Sequence, residues 1–94
     1  MNIGNAIKTL RKEKKLSQNE FATKVKMSQT YLSQIENNIK NPSTAFLQKI
    51  AQECDIPFAV LMWLSLDLND IKENKREFFT SIKCSIDSLI KELL

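Results

Sequence analysis

The stretch SQTYLSQIENN, Ser28 to Asn38, has the period of a helix but not the surface of a solvated one. Leu32 and Ile35 supply an inner face with Tyr31 at its boundary, and Ser28 stands where an N-cap belongs. Gln29, Thr30, Ser33, Gln34 and Asn37 recur at a spacing that, at about 100° per residue, gathers them on one side. Water-facing helix surfaces are ordinarily built from Glu and Lys, which are better helix formers. In a chain with 27% charged residues, a helix face made only of amides and hydroxyls requires a reason.

Outward from this stretch the chain reads as further helices. On the N-terminal side, Ser17-Gln18-Asn19-Glu20 matches a capping box and opens a helix that turns Phe21, Ala22 and Val25 inward; Lys26-Met27 is the turn before Ser28. A first helix is expected over Ile3 to Lys14, with Ile3, Ile7 and Leu10 as its apolar stripe and lysines on its surface. On the C-terminal side, Asn37-Asn38 ends the helix, since Asn accepts left-handed backbone geometry. Ser43 caps a fourth helix carrying Phe46, Leu47, Ile50 and Ala51, and Asp55 closes it. Pro57 opens a fifth helix with Val60, Leu61 and Leu64 inward and Met62 and Trp63 on other faces. Asp67 to Asp70 reads as a break, and residues 71–94 as one last amphipathic helix. The expectation is an all-α protein: a five-helix unit over residues 1–68 and a C-terminal helix within 69–94.

Composition narrows the function. The chain has 94 residues, one Gly and two Pro, which favours helices over an all-β fold. No apolar run approaches the roughly 20 residues that cross a bilayer, and MNIGNAIKTLRK lacks a signal-peptide h-region, so a cytoplasmic protein is expected. There is no His, and the two cysteines, Cys54 and Cys84, read as reduced, partly buried apolar residues. Metal sites of Cys and His, and His-based acid/base catalysis, are therefore excluded, and neither a metal nor a cofactor is expected. Residues 1–50 carry nine Lys/Arg against three Asp/Glu (+6), and residues 51–94 carry five against eight (−3). A basic first half suggests a polyanionic partner.

Two short helices joined by a tight turn, the second with a polar outer face, describe a helix-turn-helix unit. Leu16 to Met62 resembles the phage repressor and Cro-type (XRE-like) helix-turn-helix family. The resemblance lies in L-S-Q-x-E at the second helix, S-x-x-Y-L-S-x-I-E through the third and N-P-S opening the fourth. It implies a DNA-binding domain whose third helix enters the major groove, acting as a homodimer on a two-fold, double-stranded operator. On this basis Gln29, Thr30, Ser33 and Gln34 hold base-facing positions. Gln18, Arg11, Tyr31, Asn37, Lys40 and Asn41 hold positions near phosphates, and Arg11 is expected to pair with Glu36. Three positions where the family usually has Gly are Lys26, Asn38 and Asp55 here.

The opening question then has an answer. Base edges mix donors and acceptors, and a neutral amide satisfies both, as Gln does on adenine N6 and N7. Carboxylates there would meet phosphate repulsion, and lysines would bind any sequence. The reading is a transcriptional regulator, a repressor, and not an enzyme. An antitoxin-type module, whose C-terminal helix covers a partner protein, is the alternative. Dimerisation is expected either through helix five, at Leu61, Trp63 and Leu64, or through a seam of Phe79, Ile82, Ile86, Leu89 and Leu93 on the last helix, whose alternative role is to pack back on helix five.

Overall fold

Polar caps set where the helices of this chain begin. The side chains of Asn2, Ser17, Ser28 and Ser43 each accept a hydrogen bond from a backbone N–H three residues on, at 2.9–3.1 Å. Ser17 and Glu20 form the full capping box, Ser17 N–H donating to Glu20 Oε1 at 3.0 Å. That bond favours the ionised carboxylate and holds Glu20 below the usual carboxylate range. The computed structural model describes residues 1–94 as α1 Ile3–Glu13, α2 Gln18–Lys24, α3 Gln29–Glu36, α4 Thr44–Glu53, α5 Phe58–Ser65 and α6 Arg76–Lys91. Short 3-10 turns at Leu68–Asp70 and Glu73–Lys75 precede α6, and there is no strand.

The first four helices end alike. Lys15, Lys26, Asn38 and Asp55 have φ of 58°, 60°, 59° and 55°, the left-handed region, and none is Gly. After each, the next N–H returns to a carbonyl five residues back: Leu16 to Arg11, Met27 to Ala22, Ile39 to Gln34 and Ile56 to Ala51. This is the Schellman closure, and an apolar residue follows every left-handed one. Ile56 is buried and Leu16 and Met27 pack on the core, but Ile39 is 69% exposed. The three positions that depart from the family's Gly thus keep its geometry, and Lys15 adds a fourth that no Gly or Asn announced.

Inside lie fourteen buried residues in one cluster, among them Ile7, Leu10, Phe21, Val25, Leu32, Ile35, Ile50 and Leu61 at 0% exposure. α1 lies between α5 and α3, α2 packs on α3, and α4 packs on α5. At its N-terminal end α1 comes so near α3 that only Gly fits. A Cβ on Gly4 would stand 2.5 Å from the Ile35 carbonyl oxygen, 2.7 Å from Asn38 Oδ1 and 2.8 Å from the Glu36 carbonyl oxygen. Gly4 N–H donates to Asn38 Oδ1 at 3.1 Å, and Asn38 Nδ2 donates to Asn2 Oδ1 at 3.0 Å.

Three expectations need correction. The last helix starts at Arg76, not at residue 71. Asp67 and Asp70 side chains accept from the backbone N–H groups of Asn69 and Asp67 at 2.9 and 3.0 Å, and Arg76 Nε donates to the Ile71 carbonyl at 3.1 Å. These local side-chain bonds compete with helical ones. The cysteines are both free but unlike: Cys54 is buried in the core, whereas Cys84 is exposed on α6. Leu61, read as a candidate dimer contact, is wholly buried inside its own core.

α6 folds back on α5 through the only tryptophan. Trp63 meets Phe79 with ring centroids 5.8 Å apart, its Nε1 donates to Asp87 Oδ1 at 2.8 Å, and Lys83 Nζ sits 5.3 Å from its ring centroid. Ile90, also on α6, is buried.

The crowding at Gly4 yields a first prediction. Gly4→Ala gains about 1 kcal/mol of helix propensity yet forces α1 away from two backbone carbonyls. It is expected to destabilise the fold by about 1–3 kcal/mol, read by urea unfolding. Lys26→Gly removes the Cβ from a left-handed position that costs about 1–2 kcal/mol, and is expected to leave stability unchanged or slightly raised. Asn38→Gly relieves the same strain but is expected to lower stability, because it strips the acceptor from Gly4 N–H.

Candidate nucleic-acid interface

The polar face of α3 is positioned by one buried carboxylate. Glu36 ends α3 with its side chain 2% exposed. Arg11 of α1 grips it twice, Nε to Oε2 at 2.8 Å and Nη2 to Oε1 at 3.0 Å, and Gln18 Nε2 of α2 donates to Oε1 at 3.2 Å. Arg11 Nη1 also donates to the Leu16 carbonyl at 3.0 Å, in the α1–α2 turn. One anion therefore ties together the start of α2, the last turn of α1 and the end of α3. A fork-to-fork pair of this kind fixes orientation as well as distance. No buried side-chain nitrogen or oxygen lacks a partner.

With α3 so held, Gln29 and Thr30 are exposed near its N-terminus, and Ser33 and Gln34 are half-buried one turn on. Gln29, Thr30 and Gln34 direct no side-chain bond at the protein, so their donors and acceptors are available to a ligand. Asn37 is exposed, and its Nδ2 donates to the Ser33 carbonyl at 2.9 Å. Tyr31 is half-buried and packs edge-on against Phe46 of α4, centroids 5.8 Å apart and planes at 85°. Asn38, Ile39, Lys40 and Asn41 are all exposed in the loop that follows. The Ile39 and Lys40 N–H groups both return to the Gln34 carbonyl, at 2.8 and 3.2 Å, which fixes the loop against α3.

Of the nine cations in residues 1–50, Arg11 pairs with Glu36 and Lys26 lies 3.9 Å from Glu53. The other seven lysines, Lys40 among them, form no ion pair within the molecule. The expected dimer residues divide. Trp63, Phe79, Ile82 and Ile86 are half-buried and Leu64 packs against the core, whereas Leu89 and Leu93 are 66% and 62% exposed.

Three residues that shape the site did not stand out as such in the sequence. Gly4 sets the distance from α1 to α3, Asn38 links them through its side chain, and the Leu16 carbonyl steadies Arg11. Only Gly4 had a legible signal, as the sole glycine of the chain placed inside a helix.

A polar, uncharged helix presented by a tight-turn partner, in a basic half-chain, is the form of a helix-turn-helix reading head. The helix-turn-helix family model HTH_3 matches residues 7–61, and the chain belongs to this family, of the phage repressor and Cro type. Among its relatives is the ImmF control region 10 kDa protein of Bacillus phage phi105, 44% identical over 70 residues, 74% of this chain and 67% of that one. The immunity repressor protein of the same phage is 31% identical over 93 residues, 99% of this chain and 62% of the relative. The HTH-type transcriptional regulator SinR of Bacillus subtilis is 43% identical over 61 residues, 64% of this chain and 55% of SinR. The chain thus spans 62% and 55% of the length of the latter two. No solved structure matches it.

Removing Arg11 leaves Glu36 buried with Gln18 as its only side-chain partner. Arg11→Met is expected to cost about 3–5 kcal/mol in urea unfolding, as for other broken buried pairs. Adding Glu36→Leu is expected to recover most of that loss, since an apolar pair can replace a buried ionic one.

Proposed function

We infer that this chain is a sequence-specific, double-stranded DNA-binding transcriptional regulator, a repressor that occupies a two-fold operator as a homodimer. The observation that carries the reading is the exposed, uncharged face of α3, fixed by the Arg11–Glu36–Gln18 cluster. Gln29, Thr30, Ser33 and Gln34 read base edges in the major groove. Gln18 at the start of α2, Asn37, Tyr31 and the Lys40-Asn41 loop meet the phosphate backbone, with Arg11 behind them. Residues 1–68 form the DNA-reading unit and 69–94 the appended one. Occupancy of an operator that overlaps a promoter represses without any catalytic step or cofactor.

Bound DNA separates the roles. Gln34→Ala is expected to weaken cognate binding by about 1–3 kcal/mol and to leave random-sequence binding nearly unchanged, in titrations of both DNAs. Equal losses on the two would assign Gln34 to the backbone. Affinity is expected to fall steeply with salt, with a slope of about −0.9 per neutralised phosphate. Lys40→Ala is expected to flatten that slope by up to about one unit while preserving sequence preference.

A further inference from the structure

A second helix face in this chain is as short of charge as α3, and it is apolar. Phe78 and Leu89 of α6, and Leu93 in the turn that follows it, are 69%, 66% and 62% exposed, half of the six large apolar side chains that the molecule leaves in water. At about 100° per residue these three and the half-buried Ile82 fall within about 60° of one another. Phe79, Ile86 and Ile90 lie on the adjoining, more buried side, where Phe79 meets Trp63 of α5. The seam read from the sequence is therefore rotated by one position at its start, with Phe78 in place of Phe79.

The rim of the stripe is made of Ser81, Ser85 and Ser88. Ser81 Oγ donates to the Glu77 carbonyl at 3.3 Å and Ser88 Oγ to the Cys84 carbonyl at 3.1 Å. These two hydroxyls are satisfied within their own helix, so covering them strands no donor. The face bears charge only at its ends, Lys75 before its first residue and Glu92 in its last turn, both exposed.

We propose that this face is where a second copy of the chain docks, α6 against α6 in antiparallel register across a two-fold axis beside Ser85 and Ile86. The spacing of the stripe is its own mirror. Turning the helix end for end about that point exchanges residue 78 with 93 and 82 with 89, so Phe78 meets Leu93 and Ile82 meets Leu89 on both sides. The end charges agree with this direction. In the antiparallel pair each Lys75 lies at the same end as the partner's Glu92, about 6 Å further along the axis, whereas a parallel pair sets Lys against Lys and Glu against Glu. A two-fold contact must be self-complementary in this way. The helix is about 24 Å long and offers eight side chains, 78, 81, 82, 85, 88, 89, 92 and 93, far below the roughly 20–30 residues a side of a standard interface. The dimer is therefore of the weaker class, with dissociation on the order of micromolar. The proposal rests on the two-copy reading above and assigns it a surface.

Sedimentation equilibrium of the full chain without DNA tests the surface apart from DNA reading. A concentration-dependent monomer–dimer equilibrium is expected, and Leu89→Glu or Phe78→Glu should shift it at least tenfold toward monomer with unchanged helical circular dichroism. Both side chains already face water, so neither change disturbs the core. A short bismaleimide should join Ser85→Cys chains (with Cys84→Ser) into covalent dimers, but not the unaltered chain, whose Cys84 lies about 100° further round the helix. A chain monomeric at every concentration would overturn the proposal and leave the face to a different protein. A dimer indifferent to both glutamates, or no cross-link through position 85, would also overturn it. Loss of sequence preference in the Gln34 titrations bears on α3 alone.

Discussion

Everything at the polar face of α3 depends on the carboxylate of Glu36 being kept out of water. A buried anion is costly, and the cost falls steeply only when donors surround it in fixed directions. Arg11 and Gln18 supply three such donors from two other helices. The value of the cluster is less in net stability than in uniqueness: few arrangements of α1, α2 and α3 satisfy that anion, so α3 cannot slide or roll without exposing an uncompensated charge. The same three helices could be held by apolar packing alone, but Leu32 and Ile35 would tolerate small rotations that the bidentate pair does not.

In the function proposed for α3, such rigidity is an advantage, because hydrogen-bond discrimination depends on direction. Under that proposal, the side chain of Gln34 gains its selectivity from a Cα that is fixed before a ligand arrives. Two devices contribute beside the ion pair. The Gly4 contact brings α1 against the backbone of Ile35 and Glu36. The paired N–H groups of Ile39 and Lys40 on the Gln34 carbonyl fix the loop to the helix it follows.

The sequence made the helices of the first 65 residues legible because caps and apolar periods agree there. Ser17, Ser28 and Ser43 mark three starts, and Phe21, Leu32, Ile35 and Ile50 point to one core. The polar face of α3 was legible for the opposite reason, as a departure from ordinary surface chemistry. The left-handed endings were only partly legible, since Asn38 and Asp55 suit that geometry and Lys15 and Lys26 do not announce it. What pattern could not supply was direction in α6. Its apolar arc spans nearly half the helix circumference, so periodicity alone does not say which side faces home. Trp63 and Asp87, 24 residues apart, decide that through one hydrogen bond that no local rule anticipates.

That bond also makes the molecule its own reporter. Trp63 is the sole indole in the chain, and it sits in the joint between α5 and α6 with its N–H on Asp87 and an ammonium near its ring. Indole emission shifts with the polarity and charge around the ring. Any departure of α6 from α5 would therefore change the fluorescence of the unlabelled protein. Events at the α3 surface would reach that signal only by moving α5 or α6, so this one spectrum separates motion of the α5–α6 joint from events confined to α3.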